Sequence, residues 1–295
     1  MAASIPREHR RAAFWFLLPA LIMFTVYVIY PILQSFWISF HEWDGLTDTM
    51  EWVGLRNYED LIFYDFEFWT AILNNLWWLI FYLLAPLFGL LMALFLNQTV
   101  PGIRIAKSLF FFPFVISQVV VGLVFSWFYD PSFGLLNEVL GFFGLPGISL
   151  LSSERWVTFA IIFAGLWPQT AYCMILYLTG LNNINPEQIE AARIDGAKGF
   201  TLYWNVIRPQ LAPATFLAIV VTVIGALRSF DLVSIMTNGG PFGSSTVLAF
   251  KMYEEAIFNF RVGYGASIAV VLFLIMAVYI AYFLTRMLQQ ERSGG

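Results

Sequence analysis

The sequence predicts an all-α integral membrane protein with six transmembrane helices and both termini in the cytoplasm. Of its 295 residues, 60% are hydrophobic and only 12% are charged, whereas a soluble domain carries about 25% charged residues. Six apolar runs are long enough to cross a bilayer. They cover approximately residues 12–40, 68–96, 107–128, 156–181, 211–237 and 264–288. Because no low-complexity segment or clear internal repeat interrupts them, we expect one transmembrane domain over residues 1–295, surrounded by membrane lipid.

The first apolar run follows a basic N-terminal segment and is interrupted by Pro19 and Pro31. It is longer than the apolar core of a cleavable signal peptide, and it lacks a small-residue cleavage site. We therefore expect it to be a transmembrane helix that also acts as an uncleaved insertion signal.

The distribution of basic residues predicts the orientation of the spans. Ten lie on the side of the N terminus: Arg7, Arg10, Arg11, Arg104, Lys107, Arg193, Lys198, Arg208, Arg286 and Arg292. Four lie on the other side: Arg56, Arg155, Lys251 and Arg261. Cytoplasmic loops carry the excess of Lys and Arg, so both termini and the loop over residues 182–210 are predicted to be cytoplasmic.

The loop between the fourth and fifth spans is polar and has the pattern of a helix, a glycine turn and a second helix. Asn185 can cap a helix that starts at Pro186, and Gln188 can return the capping hydrogen bond. Gly196 is the expected stop of the first helix, and Pro209 that of the second. From spacing alone, this segment is either an amphipathic connection or a docking element.

The residues of this loop resemble a known motif. Glu190-Ala191-Ala192, Asp195-Gly196-Ala197 and then Pro209 are similar to the EAA loop of permease subunits of binding-protein-dependent ABC importers. Among these, the chain resembles the carbohydrate-uptake permeases, of the same kind as the first permease of maltose-type transporters. One departure is Arg208, where the family usually has Leu.

The resemblance implies a type I ABC importer permease fold with several partners. These are a second homologous permease, an ATPase homodimer or heterodimer that binds ATP and Mg²⁺, and an external solute-binding protein. It also implies that Glu190, Ala191, Ala192, Asp195, Gly196, Ala197 and Pro209 couple the chain to the ATPase. The sequence contains no Gly-Lys pair, so it lacks the phosphate-binding loop of P-loop ATPases, and we expect ATP hydrolysis in a separate subunit and no cofactor in this chain.

Polar residues inside the apolar runs are candidates for a substrate site, because such residues usually face the bundle interior or a watery cavity. In the fifth span, Arg228 and Asp231 are three residues apart, which predicts that they share one helical face. They either form a mutual salt bridge or line a central cavity. The resemblance places Thr222, Gly225, Ala226 and Ser229 at sugar-contacting positions.

The fourth span contains Trp167, Gln169 and Tyr172, a mixture of aromatic and hydrogen-bonding groups that suits a sugar ring with its hydroxyls. Tyr172 matches a sugar-contacting position by resemblance, whereas Trp167 and Gln169 follow from the residue types alone. Gln118 in the third span is a weaker candidate, because a lone glutamine can equally bond a neighbouring helix.

The remaining chemistry-bearing residues indicate no catalytic or metal site. Cys173 is the only cysteine, and His9 and His41 lie outside every apolar run. No basic tract suggests nucleic acid. The sequence thus predicts a non-enzymatic permease subunit of an ATP-driven importer for a sugar, glycoside, related polyol or compatible solute, in the inner (plasma) membrane of a bacterium. The alternative is a stand-alone secondary transporter coupled to protons or sodium.

Overall fold

The computed structural model describes residues 7–98 and 100–293, and almost all of its regular structure is helical. The first part of the chain contains three helices and a two-stranded antiparallel hairpin in which His41 pairs with Trp52. The helices are α1 (Arg7–Phe24), a π-helical turn (Thr25–Ile29), α2 (Tyr30–Ile38) and α3 (Arg56–Phe63), and the strands are β1 (His41–Glu42) and β2 (Glu51–Trp52).

Five helices form the next part of the chain. They are α4 (Phe66–Tyr82), α5 (Leu84–Leu96), α6 (Ile103–Val115), α7 (Gln118–Phe128) and α8 (Leu135–Phe142). Side-chain caps set two of their starts, since a cap satisfies one of the free N–H groups of the first turn. Asp65 accepts a hydrogen bond from the Phe68 amide at 2.9 Å, and Ser117 accepts one from the Val120 amide at 3.4 Å.

The last part of the chain contains the longest helices and a run of short ones between them. They are α9 (Val157–Asn182), α10 (Pro186–Ile194), α11 (Gly199–Leu202), a π-helical turn (Tyr203–Ile207), α12 (Arg208–Gln210), α13 (Ala212–Leu227), α14 (Asp231–Met236), α15 (Leu248–Tyr253), a second such turn (Glu254–Phe258) and α16 (Val262–Ser293).

The fold class predicted from the sequence is confirmed. Among the described residues, four helices are long and apolar enough to cross a bilayer, and the number rises to six if each of two bent pairs counts as one span. The four are Phe14–Ile38, Phe66–Leu96, Val157–Asn182 and Val262–Thr285. The chain is therefore a multi-pass membrane protein.

Two of the expected spans differ from continuous helices. Between α6 and α7 the chain turns by 98°, with the break at Ile116 and Ser117. In the fifth span, α13 ends at Leu227 and α14 starts at Asp231. A second bend, of 69°, separates Gly199–Gln210 from Ala212–Leu227. Backbone breaks within a membrane bundle occur where protein or a polar cavity can satisfy the freed groups.

The chain divides into two compact units. The smaller contains Met1–Tyr64 and Met252–Phe273, and the larger contains Asp65–Lys251 and Leu274–Gly295, so the interpretation of residues 1–295 as one domain stays a prediction. In the smaller unit, the Asn57 amide donates to the carbonyls of Ser39 and His41, both at 2.9 Å, which ties α3 to the start of the hairpin.

In the larger unit, α5 and α9 pack at very close range because a glycine stands at the contact. A Cβ added at Gly89 would lie 2.6 Å from Cys173 Cβ and 2.7 Å from the Met174 amide nitrogen. Small residues at a helix interface allow the backbones to approach closely, and the resulting van der Waals packing is one of the forces that hold helices together in lipid. The candidate substrate cavity lies in this larger unit.

Candidate functional site

A polar cavity of about 330 Å³ opens between helices of the larger unit. It is bordered by α4, α7, α9, α13, the segment that joins α13 to α14, and the start of α14. The residues that line it are Trp78, Tyr82, Gln118, Gln169, Tyr172, Val221, Ile224, Gly225, Arg228, Ser229, Phe230, Asp231 and Leu232. Six of the nine sequence-predicted substrate residues are among them: Gln169, Tyr172, Gly225, Arg228, Ser229 and Asp231. The structure therefore brings most of the predicted set together.

The two charged residues of the fifth span are placed differently from the prediction. Arg228 follows the last residue of α13, and Asp231 is the first residue of α14. The prediction that they share one face of a continuous helix is thus wrong, because the helix is interrupted between them. In the described structure no ion pair joins them, and both residues are exposed. Each charge is therefore open to a partner in the cavity.

Thr222 and Ala226 do not line the cavity. Both are fully buried and are hydrogen-bonded to residues that do line it. Thr222 accepts a hydrogen bond from Gln169 Nε2 at 2.9 Å, and its hydroxyl lies 3.4 Å from Cys173 Sγ. The carbonyl of Ala226 accepts from the Ser229 hydroxyl at 2.9 Å. These bonds fix the orientation of two side chains that do line the cavity, Gln169 and Ser229.

The two aromatic residues predicted on the fourth span face different surroundings. Tyr172 lines the cavity and stacks on Phe114, with 4.9 Å between ring centroids and 18° between the planes. Trp167 is 40% exposed, lies 5.9 Å from the Phe125 ring and lines separate, almost wholly apolar grooves. Of the two, only Tyr172 is positioned to contact a ligand in this cavity.

Trp78 and Tyr82 line the cavity from α4 and were not predicted as site residues. Both are buried, and their rings meet edge to face at 4.9 Å. No sequence signal marks them, since aromatic residues in an apolar run are usually core or lipid contacts. Gln118, the weaker candidate, also lines the cavity, and it is the first residue of α7.

The predicted coupling loop forms a capped helix that ends at a left-handed glycine. Asn185 accepts a hydrogen bond from the Glu187 amide at 2.9 Å at the start of α10. After its end, Gly196 has φ +87° and the Ala197 amide bonds the Ala192 carbonyl at 2.9 Å. This is the usual C-terminal stop, in which glycine adopts a conformation that costs other residues energy. The next helical segment ends at Gln210, one residue after Pro209.

Large apolar side chains are exposed along this loop. Ile194 is 86% exposed, Phe200 is 74% exposed and Trp204 is 48% exposed. Phe200 stacks on Trp204 at 5.5 Å, and the Arg208 guanidinium lies 4.1 Å from the centroid of the Trp204 ring. Most of the predicted coupling residues are exposed with them, and Ala192 and Ala197 are half-buried. The loop thus presents a surface of apolar and charged groups that residues 7–98 and 100–293 leave uncovered.

Comparison with known proteins places this geometry in a family. The model of the family described as "Binding-protein-dependent transport system inner membrane component" matches residues 85–294. The "Probable ABC transporter permease protein PH1215" of Pyrococcus horikoshii is 37% identical over 91% of this chain and 93% of its own length. The alpha-glucoside transport system permease protein AglF of Rhizobium meliloti is 35% identical over 95% of this chain and 83% of its own.

A solved structure shares the fold. A chain of a bacterial ABC transporter involved in the import of the acidic polysaccharide alginate superimposes with a TM-score of 0.81. The match covers 95% of this chain and 96% of that chain at 21% sequence identity. At this identity the likeness concerns the arrangement of the helices.

Proposed function

Because the chain belongs to the inner membrane components of binding-protein-dependent transport systems, we propose that it is the permease subunit of an ATP-driven importer for a sugar, glycoside or related polyol. The observation that carries the substrate class is the cavity of about 330 Å³. Its lining combines two tyrosines, two glutamines, a serine and two opposite charges that form no ion pair among the described residues. Hydroxyl groups can both donate and accept hydrogen bonds, so a polyhydroxylated ligand satisfies such a lining.

The name of the Rhizobium relative supports a carbohydrate ligand, since that protein is a permease of an alpha-glucoside transport system. The cavity also has the properties expected of a small-molecule site, with an aromatic and apolar wall and a few polar groups that fix orientation. The proposed substrate reaches it from an external solute-binding protein.

The energy for transport enters through the coupling loop in this proposal. A separate ATPase dimer, which binds ATP and Mg²⁺, receives the exposed loop over residues 182–210. A second homologous permease completes the pore in the inner membrane. The loop is continuous with α9 on one side and with α13 on the other. Gln169 and Tyr172 on α9 and Gly225 on α13 line the cavity, and Arg228 and Ser229 follow directly after α13. Movement of the loop on closure of the ATPase would therefore shift the walls of the cavity.

Reconstitution of the importer tests this function. The chain is co-purified with its sister permease and ATPase, placed in liposomes with the binding protein, and supplied with labelled maltose or trehalose as probes. We expect uptake that requires both ATP and the binding protein. Uptake of these probes that follows a proton or sodium gradient without ATP would instead identify an ion-coupled carrier.

Two cavity variants test the site. Tyr172→Ala and Ser229→Ala should lower uptake while the complex still assembles, because both residues line the cavity. Ser234→Ala is the matched control for Ser229→Ala, since Ser234 is a half-buried serine in α14 that does not line the cavity. Loss of assembly in both cavity variants would assign these residues to packing.

A further inference from the structure

Trp78 carries a buried donor that nothing in the described structure satisfies. Its side chain is 1% exposed and lines the cavity, and its Nε1 has no hydrogen-bond partner. Buried Trp N–H groups usually have a partner, and the great majority of buried polar atoms are bonded. An unpartnered donor at the wall of a polar cavity therefore points to an acceptor supplied by a ligand.

Gln118 carries the corresponding acceptor on a different helix. Its Oε1 is buried and has no hydrogen-bond partner among the described residues, and the residue lines the same cavity. The residue is the first of α7, an 11-residue helix that starts after the 98° turn at Ile116 and Ser117. The broken span thus brings the positive end of a helix and an amide side chain to the cavity. Ser117 caps this end through the Val120 amide.

We propose that Trp78 and Gln118 determine the specificity of the cavity by hydrogen bonding to hydroxyl groups of a neutral carbohydrate. This inference rests on the proposed function. It assigns recognition to Gln118, the weaker sequence candidate on α7, and to Trp78 on α4, which the sequence did not mark. An apolar ligand would leave both groups buried and without a hydrogen-bond partner, whereas a hydroxyl group can bond to either of them.

The charges of the lining give a charged ligand no overall advantage. Arg228 and Asp231 carry opposite charges and form no ion pair with each other in the described structure, so a charged ligand would meet one attractive and one repulsive group. A neutral ligand avoids the repulsion. The size agrees with this choice. A cavity of 330 Å³ holds the volume of roughly eleven water molecules, which is space for at least one sugar ring with its hydroxyls.

The test uses the reconstituted importer with maltose, trehalose and a set of their monodeoxy analogues as probes. Trp78→Phe removes the indole N–H and keeps an aromatic ring, and Gln118→Met removes the amide and keeps the length of the side chain. We expect KM for the parent sugar to rise about three- to tenfold in each variant. One monodeoxy analogue should lack the hydroxyl group that the mutated residue binds, and the wild type should transport it poorly. The KM for this analogue should not rise further in the variant.

Two controls separate recognition from packing. Trp77→Phe changes the neighbouring tryptophan, which does not line the cavity. Ser126→Ala removes a buried hydroxyl that also has no hydrogen-bond partner in the described structure. Ser126 lies on the same helix as Gln118 but does not line the cavity. Both controls should keep the KM and the deoxy profile of the wild type.

The outcomes distinguish the two proposals. If the wild type imports none of the neutral sugars, the proposed function fails, and the inference fails with it. If the wild type imports them but Trp78→Phe and Gln118→Met retain the same KM and deoxy profile, only the inference is overturned. Should one variant fail to assemble, the other carries the test, because the two residues lie on different helices.

Discussion

Gln169 on α9 donates a hydrogen bond from Nε2 to the hydroxyl of Thr222 on α13 at 2.9 Å. The bond joins the two helices that flank the coupling loop. Gln169 lines the cavity, whereas Thr222 lies fully buried behind it. The position of a cavity-facing amide is therefore set by a residue that does not itself line the cavity.

Thr222→Val should remove the hydrogen bond that orients the Gln169 amide. Valine keeps the shape of threonine but offers no oxygen, and an interhelical hydrogen bond of this kind contributes about 1 kcal/mol in a membrane protein. We expect a small loss of thermal stability and a severalfold rise in the KM for uptake. Thr170→Val is the control, because Thr170 lies on α9 and lines an apolar groove. Equal effects of the two variants would contradict the positioning role.

Lys251 is a buried cation held by two carboxylates. Its Nζ lies 2.9 Å from Glu67 Oε2 and 3.1 Å from Asp65 Oδ2, and its side chain is 2% exposed. Burial alone would lower the pKa of Lys251, but the hydrogen bond and charge of Glu67 and the charge of Asp65 outweigh burial and raise that pKa. The ion cluster links the start of α4 to α15.

Lys251→Met should destabilise the protein because it leaves two carboxylates without their cation. A fully buried pair costs about 3–5 kcal/mol when one partner is removed. Glu67 is 40% exposed, so solvent screening reduces the expected loss to about 2 kcal/mol. Lys251→Arg, which keeps the charge, should lose less.

The pH dependence of this loss follows from the direction of the pKa shift. A raised pKa means that the stabilisation is fully present below the ordinary value of 10.5 and is lost only as the pH rises through the folded-state value. Thermal unfolding of wild type and Lys251→Met should therefore differ by the same amount from about pH 7 to about pH 9. A difference that disappears within this range would contradict the assignment.

The helical membrane fold could be predicted because about 20 consecutive apolar residues are required to cross a bilayer. The breaks within the third and fifth spans could not be predicted from the sequence. The turn at Ile116 and Ser117 contains no glycine or proline, and Pro113 lies inside α6. The break after Leu227 also occurs in a run that reads as one helix. Both depend on how neighbouring helices pack, which spacing in one chain does not reveal.

Only some residues of the candidate site could be predicted from the sequence. Arg228, Asp231 and Gln169 could be identified because polar groups are costly in an apolar span. Trp78 could not, since an indole differs from other core aromatics only through one N–H. Trp167 was selected by residue type, but the orientation of α9 directs it to an apolar groove. Rotation of a helix about its axis is fixed by packing.

Gly196→Ala tests the turn of the coupling loop. At φ +87° a Cβ meets no atom within 4 Å, so the cost is conformational and amounts to about 1–2 kcal/mol. We expect assembly to persist and ATPase activity to respond less to substrate and binding protein. Gly144→Ala is the matched control, because Gly144 has φ +68° and equally open surroundings in the loop after α8. If both variants stay fully coupled, the docking role of the loop is wrong.

Alanine substitutions at two glycines beside the cavity should have opposite effects on the stability of the protein. A Cβ at Gly165 would overlap the Tyr82 hydroxyl and lie 2.8 Å from Leu232 Cδ1, whereas at Gly225 the nearest atom is Gln169 Oε1 at 3.6 Å. Gly165→Ala should therefore destabilise by about 1–3 kcal/mol through overpacking. Gly225→Ala should be neutral or stabilising by up to about 1 kcal/mol, since alanine favours the helix.

Transport and thermal unfolding, measured together, separate these effects. Gly225→Ala should raise the KM for uptake without loss of stability, because its methyl group enters the cavity beside the Gln169 amide. The double variant Gly165→Ala/Tyr82→Phe should recover part of the stability lost in Gly165→Ala, because it removes the overlapping oxygen. The remaining loss is attributed to Leu232. If Tyr82→Phe restores nothing, the Tyr82 hydroxyl does not set the packing of α4 against α9.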